Sequence, residues 1–317
     1  PVYLIEHKFF NGREIYSTPL ADDPGDSKKY IFFSRAILES LKALNFKPDI
    51  IHLNDWHTAT VAELLKTDYK NDEFFKKIKT LYTIHNLANQ GPAGLKNYMA
   101  EGILSSDLVN TVSPTYAKEI LTKEYGAGLE NILLKKKKRL YGVLNGIDTD
   151  FFNPQTDKLI KNNYSADTLE KKAADKEALR SRLGLPPDKN TALVGLITRL
   201  VWQKGIKLIT EKFSELNCQF VFLGAGEKRY EDALLNLARK YPKKFKVLIK
   251  FDEKLAHEIY AASDIFLVPS RFEPCGLTQM IAMRYGSVPI VRATGGLKDS
   301  VTNYDPSLGG LTTNLLK

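Results

Sequence analysis

Short β-branched apolar runs alternate with amphipathic stretches along most of the chain. In the first half the segments 49–53, 79–85, 108–112 and 141–144 read as strands, and helical spacing of apolar residues fills 30–44, 59–65 and 115–124 between them. Strands separated by helices predict a parallel sheet. After Asn153-Pro154 a polar, lysine-rich stretch runs to about Asn190, with a helical pattern at 166–183 and a break at Gly184-Leu185-Pro186-Pro187, and it reads as a connector. A second alternating series follows, with strands at 192–198, 219–223, 245–249, 265–268 and 287–291 and helices near 207–216, 230–241 and 254–262. The pattern predicts an α/β fold of two doubly wound units, residues 1–152 and 153–317, with ligands bound in a crevice outside the strand ends.

Two strand-to-helix junctions in the second half carry candidate chemistry. The run 265–268 reads as a strand buried on both faces, Pro269 ends it, and a helical pattern resumes at 277–285, so Glu273–Thr278 form the turn between. Unsatisfied backbone N–H groups at such a helix start attract anions. The segment Thr198-Arg199-Leu200-Val201-Trp202-Gln203-Lys204-Gly205 leaves the first strand of the second series, at the edge where open α/β sheets bind ligands. A guanidinium and an ammonium converging there would neutralise charge growing on a diphosphate leaving group, work otherwise done by a metal ion. In the first half, Asp55-Trp56-His57 closes a strand and opens a helix, which lets His57 reach a crevice. The order His52-Leu53-Asn54-Asp55-Trp56-His57 does not match H-E-x-x-H, so no zinc site is expected. Asp148-Thr149-Asp150 reads as a turn with capping carboxylates rather than a metal pair. Gly224-Ala225-Gly226-Glu227 lacks the third glycine of a dinucleotide fingerprint; Gly224 lets the backbone approach a ligand, as would Gly295-Gly296.

The 317 residues suffice for two cores, and 43% hydrophobic with 26% charged is an ordinary globular composition. The formal charge of +9 sits largely in clusters such as 135–139 and 243–246. No aromatic residues are interleaved with those lysines, so they read as solvated faces and nucleic acid is not an expected partner. Two cysteines, Cys218 and Cys275, leave no disulfide framework, and reduced thiols are expected. No stretch approaches the roughly 18 to 20 continuous apolar residues of a membrane span, and no signal peptide opens the sequence. A cytoplasmic protein is expected, or a plastid one if a transit peptide had been removed.

Taken together, Asn54-Asp55-Trp56-His57-Thr58-Ala59, Tyr82-Thr83-Ile84-His85-Asn86-Leu87, Thr111-Val112-Ser113-Pro114-Thr115-Tyr116-Ala117-Lys118-Glu119-Ile120, Leu144-Asn145-Gly146-Ile147-Asp148, Arg199 with Lys204-Gly205, and Pro269-Ser270-Arg271-Phe272-Glu273-Pro274-Cys275-Gly276-Leu277-Thr278-Gln279 resemble the bacterial-type glycogen and starch synthases. The resemblance runs in the family's order from about Tyr3 to about Asp299. It implies a GT-B architecture of two Rossmann-like domains and a retaining transfer of glucose from ADP-glucose or UDP-glucose to the non-reducing end of an α-1,4-glucan. Neither metal nor cofactor is implied. Matched motif by motif, Arg199 and Lys204 would grip the donor diphosphate, Glu273 would contact the transferred glucose, and His57 would hold the sugar ring. Cys275, Gly276, Leu277 and Thr278 would hold sugar hydroxyls or phosphate, Asn145 would face the donor, and Phe251 would stack on the nucleobase.

Three departures from the family qualify the match. The chain begins at Pro1 inside the first domain, without the Lys-Thr-Gly-Gly-Leu loop. It also stops soon after Asp299, which suggests a fragment or a shortened paralogue lacking the closing C-terminal helices. Gly25-Asp26 before Lys29-Tyr30 and a short loop after Gln90-Gly91 imply altered acceptor geometry. Two other readings remain: another retaining GT-B transferase, or a non-catalytic relative that binds nucleotide sugar or glucan.

Overall fold

The computed structural model describes residues 2–10, 24–92, 94 and 96–304. The chain divides into two compact units, Pro1–Leu144 and Asn145–Lys317.

The first unit is built on a four-stranded sheet in the order β1 (Ile50–Asn54), β2 (Lys79–Ile84), β3 (Leu108–Thr111) and β4 (Leu140–Gly142), every pair parallel. The helices include α1 (Pro24–Ala43), α2 (Asp55–Lys66), α3 (Tyr98–Ser105), α4 (Pro114–Glu119) and α5 (Glu130–Lys135). α2 turns Trp56, Ala59, Val61 and Ala62 inward, where they join Leu53, Tyr82 and Ile84 in a single core. Local signals fix the helix starts: the Asn97 side chain accepts the Ala100 N–H, and Ser113 accepts that of Tyr116 with Pro114 next in line. The fourth strand lies at Leu140–Gly142 rather than 141–144, and it is Val143 N–H that extends the pairing to Thr111 O.

The second unit holds five parallel strands in the order β7 (Phe245–Leu248), β6 (Cys218–Leu223), β5 (Ala192–Ile197), β8 (Ile265–Val268) and β9 (Val288–Val291). Alternate residues feed opposite faces. Leu193, Val221 and Leu223 join the core under α8 (Glu253–Ala262) and α9 (Thr278–Arg284), whereas Val194, Leu196, Phe220 and Phe222 join the one that holds Tyr230 and Leu234 of α7 (Lys228–Lys240). Chain order runs outward from β5 to β7 and then reverses to β8 and β9, so the switch point lies between β5 and β8.

Two sequence expectations are corrected here. Residues 207–216 do not form an α-helix but two 3-10 turns, Ile206–Leu208 and Glu211–Glu215, separated by Ile209 in an extended conformation. Ile206 and Ile209 are both buried, a spacing of three that suits the tighter turn. The stretch read as a connector is folded into the second unit: it contains a 3-10 turn, Ala166–Lys171, kinked at Thr168, and α6 (Lys172–Leu183), which packs against α8. Its polar composition misled because two cations are buried with partners. Arg180 donates to Gln219 Oε1 at 2.7 Å, Asp188 O at 2.6 Å and Thr191 O at 2.5 Å. Lys172 Nζ donates to Ala261 O at 2.7 Å, Tyr285 O at 2.9 Å and Tyr260 O at 3.1 Å, which satisfies carbonyls left open at the ends of α8 and α9. Burial pulls its pKa down to about 7.

Candidate active site

The loops that leave β5 and β8 meet at the switch point. Gly205 makes the meeting possible: its φ is +70°, and a Cβ there would stand 2.0 Å from Pro269 O. Arg271 N–H donates to Gln203 O at 2.8 Å and the Gln203 side-chain Nε2 to Phe272 O at 3.3 Å, so one backbone and one side-chain hydrogen bond lace the two loops. That lacing sets Lys204 Nζ 2.5 Å from Glu273 Oε2, and Ser270 Oγ donates to the same oxygen at 2.9 Å. Glu273 is 7% exposed. A buried carboxylate is tolerated only when paired and hydrogen-bonded, and both conditions hold. From the far side, Gly296 N–H at the start of α10 (Gly295–Ser300) donates to Glu273 O at 3.0 Å and fixes the turn.

A cavity of about 480 Å³ opens within this unit and brings Arg199, Gly224, Phe251 and Thr278 to one wall system. The four come from four loops, after β5, β6, β7 and β8. Gly224 lets two of these loops close up, since a Cβ there would lie 1.8 Å from Thr198 O. Phe251 is 95% exposed, an aromatic face with no protein ring stacked on it among the described contacts. Of the remaining sequence candidates, Cys275 is buried in the turn, where a backbone hydrogen bond from Asn145 meets it. Burial pushes the Cys275 thiol up, which keeps it protonated and rules it out as a ready nucleophile. Gly276 O accepts Gln279 Nε2 at 2.7 Å, and Leu277 is exposed beside it.

Three residues of the cavity region were missed by sequence reasoning. His257 lines the cavity, and its Nδ1 lies 2.7 Å from Asp157 Oδ2, which also accepts the Tyr285 hydroxyl at 2.5 Å. Asp157 and His257 are 100 residues apart, and no local motif links them.

His57 belongs to the first unit, in the opening turn of α2. Its ring packs edge-on to Tyr30 at 4.7 Å and against Trp56 at 4.4 Å. Burial pulls its pKa down to about 4, against the pull of Asp26, so the imidazole is neutral at pH 7. Just before it, Asp55 takes a φ of +53°, and its carboxylate accepts the His85 N–H at 2.8 Å. This strained residue turns the strand directly into the helix. The Asp148 carboxylate caps its own turn, accepting from Asp150 and Phe151 N–H at 3.0 and 2.9 Å. Among the described residues no group of three or more His, Cys, Asp or Glu could hold a metal ion, and no helix is long and apolar enough to cross a membrane.

Known proteins match both units. The starch synthase catalytic domain family covers residues 1–135, and the glycosyl transferases group 1 family covers residues 175–312. Glycogen synthase from Thermosipho melanesiensis is 46% identical over 332 residues, covering 96% of this chain and 68% of that protein. The chain belongs to the glycogen and starch synthase family. These are glucosyltransferases, and the family resemblance seen in the motifs is thereby established, as is the GT-B fold. Glycogen synthase from Clostridium novyi is 47% identical over 97% of this chain. The solved catalytic domain of starch synthase IV from Arabidopsis thaliana, bound to ADP and acarbose, superposes with a TM-score of 0.81 at 42% identity, over 89% of this chain and 64% of that one. Sucrose-phosphate synthase from Thermosynechococcus elongatus, at 19% identity and a TM-score of 0.57, shares the fold alone.

Proposed function

We propose that this protein transfers glucose from ADP-glucose to the non-reducing end of an α-1,4-glucan with retention of configuration. The observation that carries the reading is the Lys204–Glu273 pair at the switch point, in the same unit as a cavity that Arg199 and Thr278 line. A retaining glucosyl transfer develops positive charge on the sugar and negative charge on the departing diphosphate. Glu273 supplies an acidic group for the first, and Arg199 with Lys204 supplies cations for the second. Phe251 offers a stacking face for the base, Gly224 and Thr278 line the space for the rest of the nucleotide, and the turn Cys275-Gly276-Leu277 with Asn145 frames the sugar side. In the first unit, the neutral His57 is suited to hydrogen-bond a sugar hydroxyl. ADP bound to the starch synthase IV structure favours ADP-glucose over UDP-glucose.

Incubation with radiolabelled ADP-glucose and glycogen tests the proposal, with UDP-glucose in parallel. Label in the polymer, greater from ADP-glucose, is the expected result. Label recovered only in a small sugar, or binding of ADP without any transfer, overturns it in favour of a different transferase or a non-catalytic relative.

A further inference from the structure

The cavity is lined by a buried histidine that the transfer chemistry does not use. His257 Nδ1 lies 2.7 Å from the Asp157 carboxylate, and the Tyr285 hydroxyl donates to the same carboxylate oxygen. The ring is clamped: Phe152 stacks on it at 5.3 Å and Phe151 meets it edge-on at 5.2 Å. An acceptor-only carboxylate at Nδ1 fixes the tautomer that carries its proton there. The second nitrogen, Nε2, is then a lone-pair acceptor in the neutral ring, and among the described residues it has no hydrogen-bond partner. Phe152, Ala256, Tyr260 and Ile281 give the cavity an apolar share of its lining, and Phe152 is the one stacked on the ring. Arg199 and Thr278 line the same cavity, as do Lys250, Asp252 and Glu253.

Given the sugar-nucleotide donor of the proposed function, on which the selection of a base depends, this polarity orders the ligand. Phosphates go to the arginine, and the flat apolar base goes to the aromatic part. A lone buried acceptor rewards a base that presents an N–H at that point and rejects one that presents a carbonyl, because two opposed lone pairs would be desolvated without a proton between them. We infer that His257, with Asp157 as its positioning residue, selects a purine bearing an exocyclic amino group over one bearing a carbonyl in its place.

Isothermal titration of the full chain with ADP and with inosine diphosphate tests this, since the two share their purine shape and differ at that edge. The wild-type protein binds ADP about 10-fold or more tighter, as expected when a site built for a hydrogen-bond donor meets an analogue without it. In His257→Phe that ratio falls toward one, and in Asp157→Asn, where the tautomer is no longer fixed, it falls part of the way. Equal wild-type affinity for the two nucleotides overturns the inference, whether or not the variants fold. So does an undiminished ratio in folded His257→Phe. Failure of both nucleotides to bind removes the donor reading itself along with it, an outcome distinct from equal binding.

Discussion

At the scale of single residues, the second unit places one carboxylate and one ammonium in direct contact, and each depends on the other. Lys204→Ala removes the cation that the proposed function assigns to the leaving group and, among the described residues, leaves the Glu273 side chain buried with Ser270 as its remaining partner. Transfer activity is expected to fall by about 10² or more, read as radiolabel in glycogen, because each preorganised donor of this kind is typically worth about 10² to 10³ in rate. Loss of less than about fivefold would mean that Lys204 does not face the reaction. The His57 imidazole supplies a pH dependence with a definite sign. Its folded-state pKa of about 4 lies below the ordinary value of 6.5, so on acidification the unfolded chain takes up the proton first. The stability tied to this residue is full above pH 6.5 and is lost as the pH falls toward 4. In His57→Gln the decline in urea midpoint between pH 6.5 and 4 is expected to be shallower than in the wild type; identical slopes would show that His57 does not titrate there. Arg199, Lys204 and Glu273 stood out in the sequence because each lies in a short motif at a strand end, whereas Phe251 was singled out only through the family resemblance. Asp157, His257 and Tyr285 were not singled out, since what makes them a group is a contact between a turn, a helix and a helix end that lie far apart in sequence.

At the scale of elements, the approach of the β5 and β8 loops depends on a glycine. Gly205→Ala forces a side chain into a left-handed backbone and onto Pro269 O, so a destabilisation of at least about 2 kcal/mol is expected in denaturant titration, with loss of ADP binding. A stable variant with unchanged affinity would show that the loops do not need to touch. Lys172 ties two helix ends together from a third element. Lys172→Met strips their carbonyls of a shared donor, at an expected cost of about 2 to 4 kcal/mol in unfolding free energy, with the ADP affinity of the surviving folded protein little changed. An unaltered urea midpoint would refute that role. The strands of the second unit were readable because β5, β6 and β8 are almost wholly apolar runs of the length a doubly covered sheet needs. The segment 207–216 was misread because its charged residues at helical spacing say nothing of the burial of Ile206 and Ile209, which tightens the turn. Likewise Lys172 and Arg180 look like surface cations until the carbonyls that receive them are folded into place.

At the scale of the molecule, each unit has its own sheet and its own core. Residues 145–317 expressed alone are therefore expected to unfold in one cooperative transition and to gain thermal stability on addition of ADP, because the cavity and the Lys204–Glu273 pair both lie within them. A fragment that melts without cooperativity would show that its core is incomplete. The alternation of strands and helices made the two parallel sheets legible from the sequence, including the strand edge at which the site would lie. The sequence does not state that β5 and β8 are neighbours while β6 and β7 run the other way, and that reversal is what sets Arg199 and Glu273 on adjacent loops. The contact between Lys204 and Glu273 also bears on how a donor enters. The ammonium and the carboxylate neutralise one another, so under the proposed function a diphosphate would have to compete for a cation that is already engaged. Part of the attraction would go into exchanging one ion pair for another, and the carboxylate would be released toward the sugar only as the phosphates arrive.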